Sequence, residues 1–379
     1  MKKKNIKYFI YDDCNKFFLN KLINQEDYVI FNFRTLFNSK LKIFFNVSRF
    51  LILNLFNFQK LRILAKDGFF VAFICSEIEY FNPKFVITTT DNDLRFYQLK
   101  KYFDNKIKFI AIQNGIRSKF HDIFDNSLLL SKKEFSADYY FSFGHAIKKI
   151  LKKYIKVKVV PIGSFKSNFS IIKNKLTKYN KNNCLLYISS YRDKKKSDIF
   201  DISSSKKIIY WKDLISEEIA LIKNLKKYCI KNNLTFSIAG SSLGIRSNEI
   251  KFYKNILRNC KWKYYGRANV SSNYHLIDKH EIIVNVCSTL GYEALGRNKK
   301  VAFFSRNFSP YNDWVYGWPE QRFPKGFFYS NSISENEVCR VINNLRFVKE
   351  SEWSSILIGE KNKNMHFNFG NNKLKDFIK

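Results

Sequence analysis

Glu281 to Ser305 reads EIIVNVCSTLGYEALGRNKKVAFFS, and this stretch decides the fold. Glu281–Val286 is rich in β-branched residues and predicts a strand. Cys287-Ser288-Thr289 is a small polar turn. Leu290–Leu295 predicts a short helix, stopped at Gly296. A basic turn, Arg297–Lys300, leads into a second apolar strand, Val301–Phe304. Strand, turn, helix and strand in this order form the unit of a parallel α/β sheet. Open sheets of this kind bind ligands beyond the carboxyl ends of their strands. Ser288 and Thr289 bring hydroxyls beside helix amides, a setting suited to phosphate. Capping alone would also account for them. Glu293 does not have capping-box spacing from either residue. It is better matched to a sugar hydroxyl than to a phosphate.

Ser288-Thr289-Leu290-Gly291-Tyr292-Glu293-Ala294-Leu295, followed by Lys299-Lys300-Val301, resembles the donor-site element of bacterial surface-carbohydrate biosynthesis proteins. These are glycosyltransferase-like proteins of the two-domain GT-B type. The resemblance runs from about Phe85 to Trp353. It implies two Rossmann-like domains facing a central cleft, a nucleotide-sugar donor held without an essential metal or other cofactor, and Glu293 on donor ribose or sugar hydroxyls. It also places a hinge in the linker described below and brings a terminal segment back to the first domain.

The 379 residues allow two domains with real cores. Lysine and arginine number 67 against 32 acids, a formal charge of +35 that favours anionic company. Abundant lysine, asparagine, isoleucine, phenylalanine and tyrosine also fit AT-rich coding. Seven cysteines, an odd number without metal or redox spacing, predict a reduced cytoplasmic protein. The basic start is followed by too short an apolar run for a signal peptide. Leu41–Phe58 is too polar to span a membrane. It fits a core helix or a basic amphipathic helix on a membrane surface.

Along the chain, Lys7–Tyr11 predicts a strand ending at Asp12-Asp13, and helical pattern covers Asn15 to Leu64. Phe69–Cys75 fits strand or helix. Strands are predicted at Phe85–Thr88, Ile107–Ile112, Tyr139–Phe143 and Val157–Val160, each ending in a polar or glycine-bearing loop. A parallel sheet would gather these loops on one edge, the expected acceptor side. Its candidates are Asp91, Asp93 and His121 as catalytic groups, with Gln113, Asn114, Gly115 and His145 on the acceptor. Carboxylates there could take a proton from an attacking hydroxyl, although Asp91 or Asn92 could equally cap the next helix.

Phe165–Asn183 has seven asparagines or serines and five lysines among nineteen residues and reads as a linker. The domains are thus 1–165, a linker at 166–183, 184–350, and a tail at 351–379. In the second domain, Leu185–Ile188 ends at Ser189, Ser190 and Arg192, and Leu234–Ala239 ends at Gly240 and Ser241. These join Ser288, Thr289, Gly291 and Glu293 as the donor-binding set. Asp193–Lys207 is a charged, serine-rich insert expected to be mobile. Trp211–Asn232 has one apolar helical face, and aromatic Pro310–Phe328 could cover a sugar. No G-x-G-x-x-G or Walker motif supports dinucleotide or ATP chemistry. Asp91-Asn92-Asp93 has the spacing of a metal-binding triplet but not its domain.

The reading is a nucleotide-sugar-dependent glycosyltransferase in capsule, lipopolysaccharide or O-antigen assembly. Its expected partners are the donor, a saccharide or lipid-linked acceptor, and the anionic inner membrane face; no nucleic acid is expected. The alternatives are a sugar-nucleotide epimerase of the same fold, a polyol-phosphate transferase of the teichoic-acid type, and a basic nucleic-acid binder without enzymatic activity.

Overall fold

The computed structural model describes residues 6–32, 47–48, 50–52, 54, 56–117, 123–124, 134–170, 183–195, 197–202, 208–244, 246–269, 272–305 and 325–379. The chain forms two compact units, Met1–Phe169 with Gly370–Lys379, and Ser170–Phe369. Each is built on its own six-stranded sheet.

The first unit contains β1 (Tyr8–Ile10), β2 (Tyr28–Ile30), β3 (Phe85–Thr88), β4 (Lys108–Ile112), β5 (Ser136–Ser142) and β6 (Lys156–Pro161). Their order is β2-β1-β3-β4-β5-β6, and every pairing is parallel. The strands are short apolar runs because both faces are covered. Phe9, Ile10, Val86, Ile87, Phe109 and Ile110 are fully buried. β2 interrupts the stretch from about Asn15 to Leu64 in which helical pattern was expected to dominate; three residues are too few to show a period of two. Phe69–Phe81 is a helix. Its apolar run buries six residues on several sides, which is why no amphipathic period marked it.

The last ten residues belong to this unit, while 351–369 stay with the second. The terminal helix Asn372–Ile378 brings Phe377 against Tyr139 and Phe141 on β5, with ring centroids 4.3 and 5.4 Å apart. Tyr8 Oη donates to the Ile378 carbonyl at 2.9 Å. Within the predicted linker, Phe165–Asn168 is a short helix of the first unit. Residues 171–182 lie outside the described residues.

The second unit contains β7 (Cys184–Ile188), β10 (Thr235–Leu243), β11 (Trp262–Arg267), β12 (Ile282–Asn285), β13 (Lys300–Phe304) and β14 (Tyr329–Ser330). Their order is β11-β10-β7-β12-β13-β14, again all parallel. In the unit's own chain order this is 3-2-1-4-5-6, the Rossmann arrangement. The predicted insert is not featureless. β8 (Ile199–Ile202) and β9 (Ile208–Tyr210) pair as an antiparallel ribbon. Residues 203–207 of the insert, and residues 306–324, which hold most of the aromatic Pro310–Phe328 stretch, lie outside the described residues.

Candidate functional site

The order in which strands are added reverses beside the first strand of each sheet, and open α/β sheets bind ligands at such a switch point, outside the carboxyl ends of the strands. In the second unit it lies between β7 and β12, which pair directly with Tyr187 opposite Val284. One step further along these adjacent strands come the Ser189-Ser190 turn and the Val286-Cys287-Ser288 turn, at the switch point. Sequence reading found both turns; the strand order brings them together.

The Thr289–Gly296 helix rises from the second turn. Ser288 is its N-cap, with Oγ accepting from the Leu290 amide at 3.2 Å. Asn285, fully buried at the end of β12, accepts from the Ser288 amide through Oδ1 at 3.2 Å. Gly291 lets the helix sit directly on that asparagine, since a Cβ there would overlap the Asn285 side chain. Ser288 and Thr289 are half-buried at the helix N-terminus, where the amide dipoles favour an anion. Glu293 is buried and accepts from Tyr274 Oη at 3.0 Å. Tyr274 comes from the Ser272–Lys279 helix. At the far end, Arg297 is buried in a two-pronged pair with Asp278 and donates to the Ser170 carbonyl.

The other serines of the donor set point inward. Ser189 Oγ donates to Glu249 at 2.5 Å and accepts from Tyr253 Oη at 2.8 Å. Glu249 also receives the Ser241 amide, Ser241 Oγ and Tyr264 Oη, at 3.1, 3.2 and 2.9 Å. Ser190 Oγ and Tyr187 Oη converge on Glu218. Both glutamates are buried. The hydroxyls of Ser189, Ser190 and Ser241 therefore fasten the edge loops to acids below them instead of presenting protons to a phosphate. Glu218 and Glu249 were not singled out in the sequence, because each sits inside a helix, where an acid ordinarily reads as a solvated face.

Gly240 and Ser241 were expected in a turn, but β10 runs on through them to Leu243. Gly240 is a packing glycine: a Cβ would lie 2.5 Å from Tyr264 Oη and 3.2 Å from the Tyr265 carbonyl oxygen. Arg192 is exposed beyond β7.

In the first unit the switch point lies between β1 and β3. Asp12, at the end of β1, receives Thr88 Oγ1, Thr89 Oγ1 and the amides of Thr89 and Thr90, all within 3.2 Å. Asp91 is completely buried. It forms a two-pronged pair with Arg117 at 2.5 and 2.8 Å. It also accepts the Asn114 amide at 2.9 Å and Tyr140 Oη at 2.6 Å. Burial, with the Asp91 charge adding to it, pushes the Tyr140 phenol well above its ordinary range. Asp93 caps its helix and is held by Arg95 and by Tyr11 Oη.

These contacts correct the reading of Asp91 and Asp93 as bases: their oxygens already accept from arginine and tyrosine, and Asp91 is shut off from solvent. Gln113 is likewise a brace, accepting from the Phe143 amide and donating to the Gly115 carbonyl. Asn114 accepts from Asn15 Nδ2 at 3.2 Å. His145 is exposed at the end of β5, and His121 lies outside the described residues. Asp13 was passed over. It is exposed beside Asp12 at the switch point, and Asn32 Nδ2 donates to it. Its position directly after an opening strand was the signal.

Two parallel six-stranded sheets of Rossmann type place the protein in the GT-B structural class. The profile of the family described as "putative O-antigen biosynthesis protein" matches residues 110–379, so the chain belongs to that family. No curated protein sequence matches it. Among solved structures it is similar to MnaA of S. aureus, solved with UDP, at 12% identity and TM-score 0.54, over 100% of this chain and 96% of that one. It is similar to the UDP-GlcNAc 2-epimerase of Methanocaldococcus jannaschii at 12% identity and TM-score 0.52, over 98% and 99%. It is also similar to the Neisseria meningitidis UDP-GlcNAc 2-epimerase bound to UDP-GlcNAc, at 13% identity and TM-score 0.50, over 99% of both. Identities this low show the shared fold alone.

Proposed function

We propose that the protein is a nucleotide-sugar-dependent enzyme that transfers the sugar to a saccharide or lipid-linked acceptor in surface-polysaccharide assembly. The observation that carries this reading is the second unit's switch point, where the Ser288-capped helix opens beside the Ser189-Ser190 turn. In this reading the donor's phosphates lie at the N-terminus of the Thr289–Gly296 helix, stabilised by its dipole and amides. Ser288 and Thr289 contact them. Glu293, oriented by Tyr274, takes the ribose or sugar hydroxyls. Buried Glu249 and Glu218 hold the neighbouring loops in shape.

Asp13 is the proposed general base. It is the exposed carboxylate at the first unit's switch point, and a carboxylate can accept the proton of an attacking hydroxyl. Asn114 and His145 stand on the same sheet edge and serve the acceptor, with Gln113 bracing the loop beneath them. Membrane association belongs to the same proposal. Among the described residues no helix is long and apolar enough to cross a membrane. Yet Ile52, Phe56 and Phe58 are 78%, 89% and 86% exposed, with Arg62 and Lys66 exposed nearby in the chain. Apolar side chains among cations suit an anionic lipid surface.

A second reading, a sugar-nucleotide epimerase, draws on the end-to-end likeness to epimerase structures. Incubation with UDP-, GDP-, CDP- and CMP-sugars, followed by mass spectrometry and NMR, separates the two. Release of the nucleotide coupled to glycosylation of an added acceptor supports transfer. An isomerised nucleotide sugar formed without acceptor replaces transfer with epimerisation.

A further inference from the structure

Strands of a parallel sheet are ordinarily covered on both faces and read as continuous apolar runs. β10 and β11 depart from this. Phe236 and Ile238 alternate with Thr235 and Ser237, while Trp262 and Tyr264 alternate with Lys261 and Lys263. The register sets Ser237 beside Lys263 and Ala239 beside Tyr265. Successive side chains point to opposite faces, so Thr235, Ser237, Lys263 and Tyr265 share one face, and that face is polar.

This face floors a cavity of about 610 Å³, within the size range of small-molecule sites. Lys261 also lines it, and Asn273, His275 and Lys279 of the Ser272–Lys279 helix form a wall. Among the described residues no carboxylate lines the cavity. Three ammonium groups around one recess repel each other unless an anion joins them. Asn183, Asn233, Asn273 and Ser237 offer the paired donors and acceptors that sugar hydroxyls require, and Tyr265 adds an aromatic ring.

We propose that this groove is a second ligand site, separate from the Ser288 turn, which binds a carbohydrate carrying an anionic group, either phosphate or carboxylate. The lysines hold the anion, and the amides, hydroxyls and Tyr265 hold the sugar. The proposal stands whether or not the Ser288 turn binds a nucleotide.

The test is isothermal titration of the full chain with glucose 6-phosphate, glucuronate and inorganic phosphate, for the wild type and a Lys263→Gln, Lys279→Gln double variant. Both lysines are exposed, and circular dichroism checks that the variant folds. The expected result is saturable binding of one of the two sugars, tighter than inorganic phosphate. It should weaken at least ten-fold in the double variant and also with added salt. Nucleoside diphosphate titrated alongside reports on the Ser288 site independently and should be unaffected by the substitutions. Three results overturn the proposal: no saturable binding of either sugar, binding the double variant leaves unchanged, or inorganic phosphate binding as tightly as the sugars. A dimer seen by light scattering that the double variant dissociates, without sugar binding, overturns it in favour of a contact between copies.

Discussion

Both sheets are six-stranded and parallel, ordered 2-1-3-4-5-6 in the first unit and 3-2-1-4-5-6 in the second, and they stabilise their carboxyl edges differently. In the first unit a buried ion pair sits at the edge itself: Asp91 and Arg117 tie the loop after β3 to the loop after β4, and Tyr140 of β5 joins them. In the second unit the buried ion pair, Arg297 with Asp278, lies at the C-terminal end of the switch-point helix. The edge loops hang instead on hydroxyls donating to Glu249 and Glu218. The first edge is therefore locked by charge, and Asp13, the base proposed above, is exposed beside it. The second is held by neutral hydroxyl and amide donors on buried carboxylates, beside the helix N-terminus proposed above to receive the donor's phosphates.

The comparison can be broken at four points. The largest stability effect is expected for Arg117→Ala, which strands the fully buried Asp91. Removing one partner of such a pair costs about 3–5 kcal/mol, measured by urea unfolding. Asp13→Asn should leave unfolding unchanged and lower kcat by about two to four orders of magnitude, with the donor KM intact. A variant of normal kcat would remove Asp13 from the base role.

Glu249→Gln replaces a four-fold acceptor by an amide that turns an N–H toward other donors. It should cost about 1–3 kcal/mol, less than Arg117→Ala. Equal costs would erase the distinction between an edge locked by an ion pair and one held by neutral donors. The smallest effect concerns pH. Burial holds the His280 imidazole below its ordinary 6.5, with Lys299 and Lys279 adding to it and a bond to the Leu276 carbonyl opposing it. The unfolded state then binds the proton more readily, so stability is lost as pH falls below 6.5 and is unaffected above it. His280→Gln should flatten the urea midpoint between pH 6.5 and 5.

Much of this was legible in the sequence because the strands are short apolar runs closed by polar turns. Phe85–Thr88 appears as read, and the Trp211–Lys231 helix differs from its reading by one residue. The Ser288 turn was legible for the same reason. The roles of Asp91 and Ser189 were not, because they depend on partners far along the chain. Arg117 is 26 residues from Asp91, and Glu249 is 60 from Ser189. A carboxylate that will be caged by arginine looks, in one dimension, like one free to take a proton. The polar face of β10 and β11 was visible as alternation, but only the register showed that both polar sets face one groove.

The most direct test of the account is nucleoside diphosphate binding by wild type and Thr289→Glu, measured by calorimetry with UDP, GDP and CDP. An acid in the first turn suits the helix dipole, so the variant should melt at the wild-type temperature. Its carboxylate would occupy the position assigned to the phosphates. The account predicts that wild type binds one of the three and that Thr289→Glu weakens this binding at least a hundred-fold. Equal binding by both proteins would contradict the assignment of the Ser288 turn as the nucleotide site.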